Sequence, residues 1–422
     1  MMKNNIYDLV VIGGGTAGCA CAYTAGKLGL KTLLVEKNSF LGGTITSSLV
    51  IPAMKTSENS INNDFFNTLY TELHKLGGAL TYMDGNKGWF NPELTKIVLD
   101  KLLISASVDI LFEASIEKAE EKLSSYIVTI CNNNSGCFNN KLLSSIETKY
   151  LIDATGNADV CKMLNCDFLN SDLKSQTQPV NLRFILSGVN VEEFEAWLTE
   201  YDKNREVTSS CRSEGELLLS TAYTWDGNNW ALEPLFKDAI ENKIITEEDA
   251  NYFQIFSVAG THDAIAFNCP RIIKADISSS EAYIQGRESI LHLLNFCKEY
   301  FPGFENAYIS SIADSLGIRV SNRVKCRYVY TKDDILTGKT FSHPVLISNY
   351  PIDIHSKDKN SSVLEYVNKE YQLPIEALII NDNLFVIGRC ISADFEAQAA
   401  LRIIPSCFSM GEGLAKYLAG QN

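Results

Sequence analysis

Residues 6–12 form a short, nearly continuous apolar run that stops at Gly13-Gly14-Gly15, the pattern of a parallel strand buried on both faces. Residues 16–29 are small and helix-compatible, with Ala17, Ala20, Ala22 and Ala25 letting a helix lie close to a sheet. The run 31–36 is a second strand. Strand, glycine-rich turn, helix and strand within ~30 residues make a βαβ unit with a right-handed crossover. Farther along, 62–76 and 92–104 have helical amphipathic spacing, the second opened by Asn91 as N-cap with Pro92 in the first helical position. A strand follows at 108–112. The runs 127–130 and 145–150 flank an Asn-rich turn (Asn132, Asn133, Asn134, Asn139, Asn140) and predict a hairpin-type insert. Residues 150–154 read as a further buried strand ending at Thr155-Gly156.

From about 170 to 370 the pattern mixes strands and helices with frequent polar loops and no new glycine-rich fingerprint. A short buried strand returns at 384–387 and a closing helix is expected over 409–418. A chain of 422 residues exceeds the ~250–300 at which one core stops growing. The pattern therefore predicts an α/β protein with an N-terminal first part over 1–170, an inserted α+β substrate or cap domain over 171–374, and a C-terminal completion of the first domain over 375–422.

Composition narrows the class. Apolar residues at 45% and charged residues at 21% suit a globular protein, and no apolar run reaches the ~18 residues of a spanning helix. Asp8 and the glycines at 13–15 argue against a secretory signal helix at the N-terminus. The expectation is a soluble, cytoplasmic protein with no membrane partner. The net charge of −14 disfavours non-specific binding to nucleic acid, which needs basic patches, while leaving room for a local basic pocket. Twelve cysteines form no CxxC pair; the closest spacings, Cys19/Cys21, Cys131/Cys137 and Cys161/Cys166, match no zinc, cluster or dithiol motif, so no metal is expected.

Gly13-x-Gly15-x-x-Gly18 is the first motif that carries chemistry. The first glycine permits a tight turn, the second admits a pyrophosphate, and the third lets helix and strand touch, so a diphosphate sits on the helix N-terminus beside Thr16 and Ala17. Glu36 ends the next strand, where a carboxylate accepts ribose hydroxyls. This is a Rossmann-type nucleotide site. After Lys37 comes Phe40-Leu41-Gly42-Gly43-Thr44-Ile45-Thr46, and later Leu151-Ile152-Asp153-Ala154-Thr155-Gly156.

These segments resemble the glutathione-reductase-type flavoprotein superfamily, in which the Gly-Gly-Thr stretch wraps the pyrophosphate and the Ala-Thr-Gly strand is a second FAD signature. Phe90-Asn91-Pro92-Glu93, Gly286-Arg287, Phe301-Pro302-Gly303, the run from Gly317 to Arg323, Tyr350-Pro351-Ile352-Asp353-Ile354-His355, Leu373-Pro374 and the run from Asn383 to Ser392 occur in the order found in the bacterial FAD-dependent oxidoreductase family. The resemblance covers essentially the whole chain. It implies FAD as cofactor, held by Gly13, Gly15, Thr16, Ala17, Gly18, Glu36, Lys37, Gly42, Gly43, Thr44, Thr46, Ala154, Thr155, Gly156, Gly388, Arg389 and Gly411. Two departures stand out. Asn322 replaces the usual second arginine of a Ser-Arg-Arg segment, and Ala415 stands where a glycine is expected after the Gly411 turn.

Histidine is scarce, with five in the chain. By resemblance, His355 faces the cap–FAD seam, where an imidazole exchanges a proton alongside hydride transfer at flavin N5; the alternative is a histidine hydrogen-bonded within the cap sheet. Arg319, Arg323, Arg389 and Arg402 are the cationic candidates, with Arg319 foremost for stabilising a reduced flavin or forking onto a substrate carboxylate. A second dinucleotide fingerprint is missing. The leading expectation is an FAD enzyme moving two electrons to or from a small-molecule substrate, in a possible homo-oligomer. A flavin-dependent RNA-modifying enzyme and an FAD-binding protein without turnover are the alternatives.

Overall fold

In the computed structural model the described residues are 6–132, 142–169, 177–203, 208–224, 231–273, 278–355 and 362–420. Most of the Asn-rich turn (Asn133, Asn134, Asn139, Asn140) lies outside them. The chain starts with β1 (Ile6–Ile12), α1 (Thr16–Lys27), β2 (Thr32–Val35) and the one-turn helix α2 (Thr44–Ser47). Next come α3 (Asp64–Lys75), the short pair β3 (Ala79–Leu80) and β4 (Trp89–Phe90), α4 (Pro92–Ser105) and β5 (Asp109–Leu111). The meander β6 (Ala114–Glu121), β7 (Tyr126–Asn132) and β8 (Leu142–Asp153) follows, then α5 (Asp159–Met163). Asn91 caps α4 as its position predicts, its side chain accepting the N–H groups of Glu93 and Leu94.

The first sheet runs β5-β2-β1-β8-β7-β6, with strand Leu384–Val386 added alongside β8. β1 pairs parallel with both β2 and β8, and Leu384–Val386 pairs parallel with residues 151–153. The two strands expected at 145–150 and 150–154 are one strand, β8. Its first half pairs antiparallel with β7 and its last residues pair parallel with Leu384–Val386. Local pattern divides it because one end faces a partly exposed meander and the other a buried parallel core. β6 escaped the pattern altogether, since its last five residues, Glu117 to Glu121, are charged except for Ala119 and mostly exposed.

The second sheet is antiparallel throughout. Its order is Thr208–Ser213, Glu216–Thr224, Tyr252–Ser257, Ile265–Phe267, Phe184–Ser187 and Tyr308–Ile312. The 22-residue helix Ser279–Tyr300, opened by a Ser278/Glu281 capping box, buries Phe296 against Phe236 and Phe301. A hairpin, Ile352–His355 with Ser362–Glu365, carries Asp353 and His355.

The closing helix is Ile404–Leu418, one turn longer at its start than expected, so Cys407 and Gly411 lie inside it. Gly411 forms no turn. A Cβ there would collide with the Ala17 carbonyl oxygen, so the glycine serves close packing of this helix on α1. No helix among the described residues is long and apolar enough to cross a membrane.

Candidate functional site

The nucleotide site is built from backbone. Gly13 has φ +108 and a Cβ on it would meet the Ala154 carbonyl, while one on Gly18 would meet the Gly13 carbonyl. Both glycines are therefore required by packing. Gly15 is different: its nearest neighbour would be the Gly43 Cα at 3.9 Å. The α1 N-terminus has Gly15 as N-cap, with no side chain to accept the first amide groups, and a Cβ on Gly15 would make that single ordinary contact. Gly15 and Gly42 form a bridge, Gly42 N–H donates to the Gly14 carbonyl at 2.8 Å, and a Cβ on Gly43 would stand 2.7 Å from the Gly15 Cα. The Thr46 hydroxyl donates to the Leu41 carbonyl at 2.6 Å, fixing the turn into α2. Thr44 is half-buried beside it.

Glu36 is 5% exposed at the end of β2. Its Oε2 accepts Gly14 N–H at 2.7 Å and its Oε1 accepts Asn38 N–H at 2.9 Å. Burial raises its carboxyl above the usual range, opposed by those two amides and the Lys37 charge. Two fixed oxygens keep lone pairs for ribose hydroxyls. Lys37 itself is exposed.

Beyond β8, Asp153 is fully buried and accepts Thr155 N–H at 3.1 Å, Thr155 Oγ1 at 2.7 Å and Cys161 N–H at 2.9 Å. Its work is to hold the Ala154-Thr155-Gly156 turn onto α5; Ala154 N–H donates to Ile12 at 2.8 Å. Gly388 and Arg389 approach this turn from the C-terminal segment. Arg389 donates Nε to the Gly156 carbonyl at 3.0 Å, Nη1 to Ile318 at 2.9 Å and Nη2 to Asn157 Oδ1 at 2.9 Å. Ser321 and Asn322 add bonds to the carbonyls of Gly156 and Asn157. The departure at Asn322 thus becomes a tie to the nucleotide loop. Arg323 donates to the carbonyls of Ala393 and Leu169.

A second cluster is built from side chains. His355 is 8% exposed. Its Nδ1 lies 2.7 Å from Arg271 Nη2 and its Nε2 3.4 Å from Asp353 Oδ1. A guanidinium only donates, so Nδ1 accepts and Nε2 carries the proton toward Asp353. Burial, then the Arg319 charge, pushes the imidazole down to about 3. Burial would raise Asp353, yet the His355 hydrogen bond and the charges of Arg402 and Arg319 hold it well below the usual carboxylate range. The pair is therefore an ionised Asp353 and a neutral His355. Both ring nitrogens are engaged by protein groups, the arrangement of the alternative reading, a hydrogen-bonded histidine.

Arg319 is 7% exposed, donating Nη1 to the Pro179 carbonyl at 2.8 Å and Asn181 Oδ1 at 3.0 Å. Burial and the charges of Arg402, Arg271 and Arg183 depress it. Arg402 reaches Asp353 Oδ2 at 3.4 Å and the Asp353 carbonyl at 3.0 Å. Arg183, Arg271 and Gln178 were missed by sequence reasoning. The available signal was a lone arginine inside an apolar run, as in Leu182-Arg183-Phe184-Ile185 and Pro270-Arg271-Ile272.

A βαβ unit with an open helix N-terminus, a buried ribose acid and a wrapping Gly-Gly-Thr turn defines a dinucleotide-binding α/β protein. The chain belongs to the FAD-dependent oxidoreductase family, which it matches over residues 8–419. FAD is its cofactor, and the uncapped α1 N-terminus at Gly15 with the fixed oxygens of Glu36 suits that group. The mitochondrial dihydrolipoyl dehydrogenase of Dictyostelium discoideum is 26% identical over 178 residues, 42% of this chain and 35% of that protein. The mitochondrial glycerol-3-phosphate dehydrogenase of Rattus norvegicus is 44% identical over 65 residues, 15% of this chain and 9% of that protein. The chain thus spans about a third or less of the curated relatives it matches. Among solved structures, p-nitrophenol 4-monooxygenase from Pseudomonas putida aligns over 99% of this chain and 79% of its own, at TM-score 0.47 and 11% identity.

Proposed function

We propose that this protein is a two-electron FAD enzyme that oxidises or reduces a small organic substrate bound where the nucleotide loops meet the side-chain cluster. When bound, FAD supplies the two-electron chemistry, exchanging hydride at N5. The chain's residues position and insulate. The α1 N-terminus would hold the pyrophosphate and Glu36 the ribose, while Arg389 locks the Gly156 turn to the Ile318–Ser321 segment. Residues 1–170 and 375–422 form the FAD unit in this reading, and 171–374 covers the reacting end. His355, held neutral between Arg271 and Asp353, is a positioning residue that orients two charged side chains.

The observation that carries this reading is the contrast among the three motif glycines: a Cβ on Gly13 or Gly18 would strike backbone, while one on Gly15 would meet a single atom at ordinary contact distance. The test is the visible spectrum of the purified protein, before and after acid precipitation and through an anaerobic dithionite titration. A flavin spectrum that bleaches by two electrons, with FAD released into the supernatant, is expected. A colourless protein that takes up no added FAD overturns the reading.

A further inference from the structure

We propose that Arg183, Arg319 and Arg402, joined by Arg271 through His355, bind the carboxylate groups of a small organic acid, the substrate of the reaction proposed above, on which this inference rests. Arg271, Arg319 and Arg402 form one connected group, and Arg183 lies close enough for its charge to act on Arg319 and Arg402. Gln178 Oε1 accepts both His355 N–H at 3.2 Å and Arg402 Nη2 at 3.4 Å, and Asn181 pairs in register with Arg271 while accepting Arg319. Asp353 is the carboxylate that the described residues bring within ion-pair distance of Arg402.

The positive charge exceeds what a structural role needs. Arg389 shows what a structural arginine looks like here, with Nε, Nη1 and Nη2 all donating to protein oxygens. Arg183 is 9% exposed and donates Nη1 to the Leu49 carbonyl at 3.3 Å, while its Nε has no partner among the described residues. Arg402 Nε and Gln178 Nε2 are likewise without partners among them. Arg183 and Arg319 donate to neutral oxygens in these bonds. Gathering guanidinium groups out of water is unfavourable unless an anion completes the set, and each guanidinium offers a planar fork that fits a carboxylate.

Location agrees with a substrate. Leu49, whose carbonyl accepts from Arg183, lies two residues past the end of α2 of the nucleotide site. The Gln398 side chain donates to the carbonyls of both Arg319 and Arg389, so the cluster and the Gly156 clamp share a support. The side chains of Arg402 and Asp353 keep 15% and 17% exposure, leaving a way in from solvent.

The holoenzyme is titrated with succinate and malonate, with succinamide as the uncharged control and inorganic phosphate as a competing oxyanion, following flavin absorbance and the melting temperature at constant ionic strength. Saturable perturbation by a dicarboxylate and none by succinamide is expected. Arg183→Gln and Arg319→Gln should weaken dicarboxylate binding about tenfold with unchanged FAD content, and Arg183→Lys, which keeps the charge and loses the fork, should fall between. Holoenzyme that ignores both dicarboxylates, responds equally to succinamide or phosphate, or binds them unchanged in the folded variants overturns the carboxylate site alone. Should a glutamine variant fail to fold, the wild-type contrast between succinate and succinamide still decides. A preparation that cannot hold FAD overturns the underlying reading as well.

Discussion

The nucleotide loops and the arginine cluster solve binding in opposite ways. In the first, recognition rests on backbone shape: glycines at 13, 15, 18, 42 and 43, one helix N-terminus and one buried acid, all within the first 43 residues. In the second, it rests on side chains drawn from Gln178, Arg183, Arg271, Arg319, Asp353, His355 and Arg402. Their surroundings differ too. The loops hold a carboxylate fixed by amides, whereas the cluster concentrates guanidinium groups around one carboxylate. The contrast teaches that a backbone site is specified over a short stretch and is closed to an added carbon at Gly13, Gly18 and Gly43, while a side-chain site is specified by topology and is tuned one charge at a time.

The sharpest way to break this contrast is Gly18→Ala. Its Cβ would strike the Gly13 carbonyl, backbone that cannot step aside, and overpacking there costs on the order of 3 kcal/mol. Loss of bound FAD with a lowered melting temperature is expected; a variant that keeps both would show that the loop yields. Asp353→Asn comes next. Removing the carboxylate from among His355, Arg402 and Arg319 should destabilise by about 2–3 kcal/mol, below the full buried-pair figure because Asp353 is partly exposed, as read by denaturant unfolding. FAD content should hold if the two regions are independent.

The pH dependence separates the regions further. His355 is lowered from 6.5 to about 3, so between those values the unfolded chain binds the proton and the native one does not. Stability is then complete above pH 6.5 and falls as pH drops toward 3, by up to about 1.4 kcal/mol per pH unit. Asp353, also depressed, adds its own loss only below about pH 4. Unfolding at pH 7, 6 and 5 should show the slope in wild type and a flatter one in His355→Asn; equal slopes would remove His355 as its source.

Glu36→Gln should weaken FAD binding by about 2 kcal/mol, roughly thirtyfold, since a charged acceptor becomes half donor. Lys37→Ala, by contrast, should change FAD affinity no more than about threefold, because the side chain is exposed and its charge is screened. Flavin-fluorescence titration measures both. A larger loss at Lys37 than at Glu36 would reverse the account of the ribose end.

Local pattern carried much of the fold. The βαβ unit, both early helices, the Asn91 cap and the return strand near 384 were legible because each depends on residues close in sequence. The nucleotide loops were legible for the same reason. What failed depended on distant partners. Gly411 looked like a turn until α1 lay against it, and β8 looked like two strands until its two halves met different neighbours. His355 offered two readings by residue type; Arg271 on one nitrogen and Asp353 on the other give the arrangement of the hydrogen-bonded one.

By itself, then, the chain determined an α/β nucleotide fold and the backbone of its glycine-rich loops, since glycine spacing, a strand-end acid and apolar periodicity act over a few residues of backbone. Tertiary structure alone decided which arginines share a site and which proton His355 holds. Those properties arise from Coulomb interactions and hydrogen bonds between groups separated by as many as 224 residues, as between Gln178 and Arg402, and only folding sets their distances.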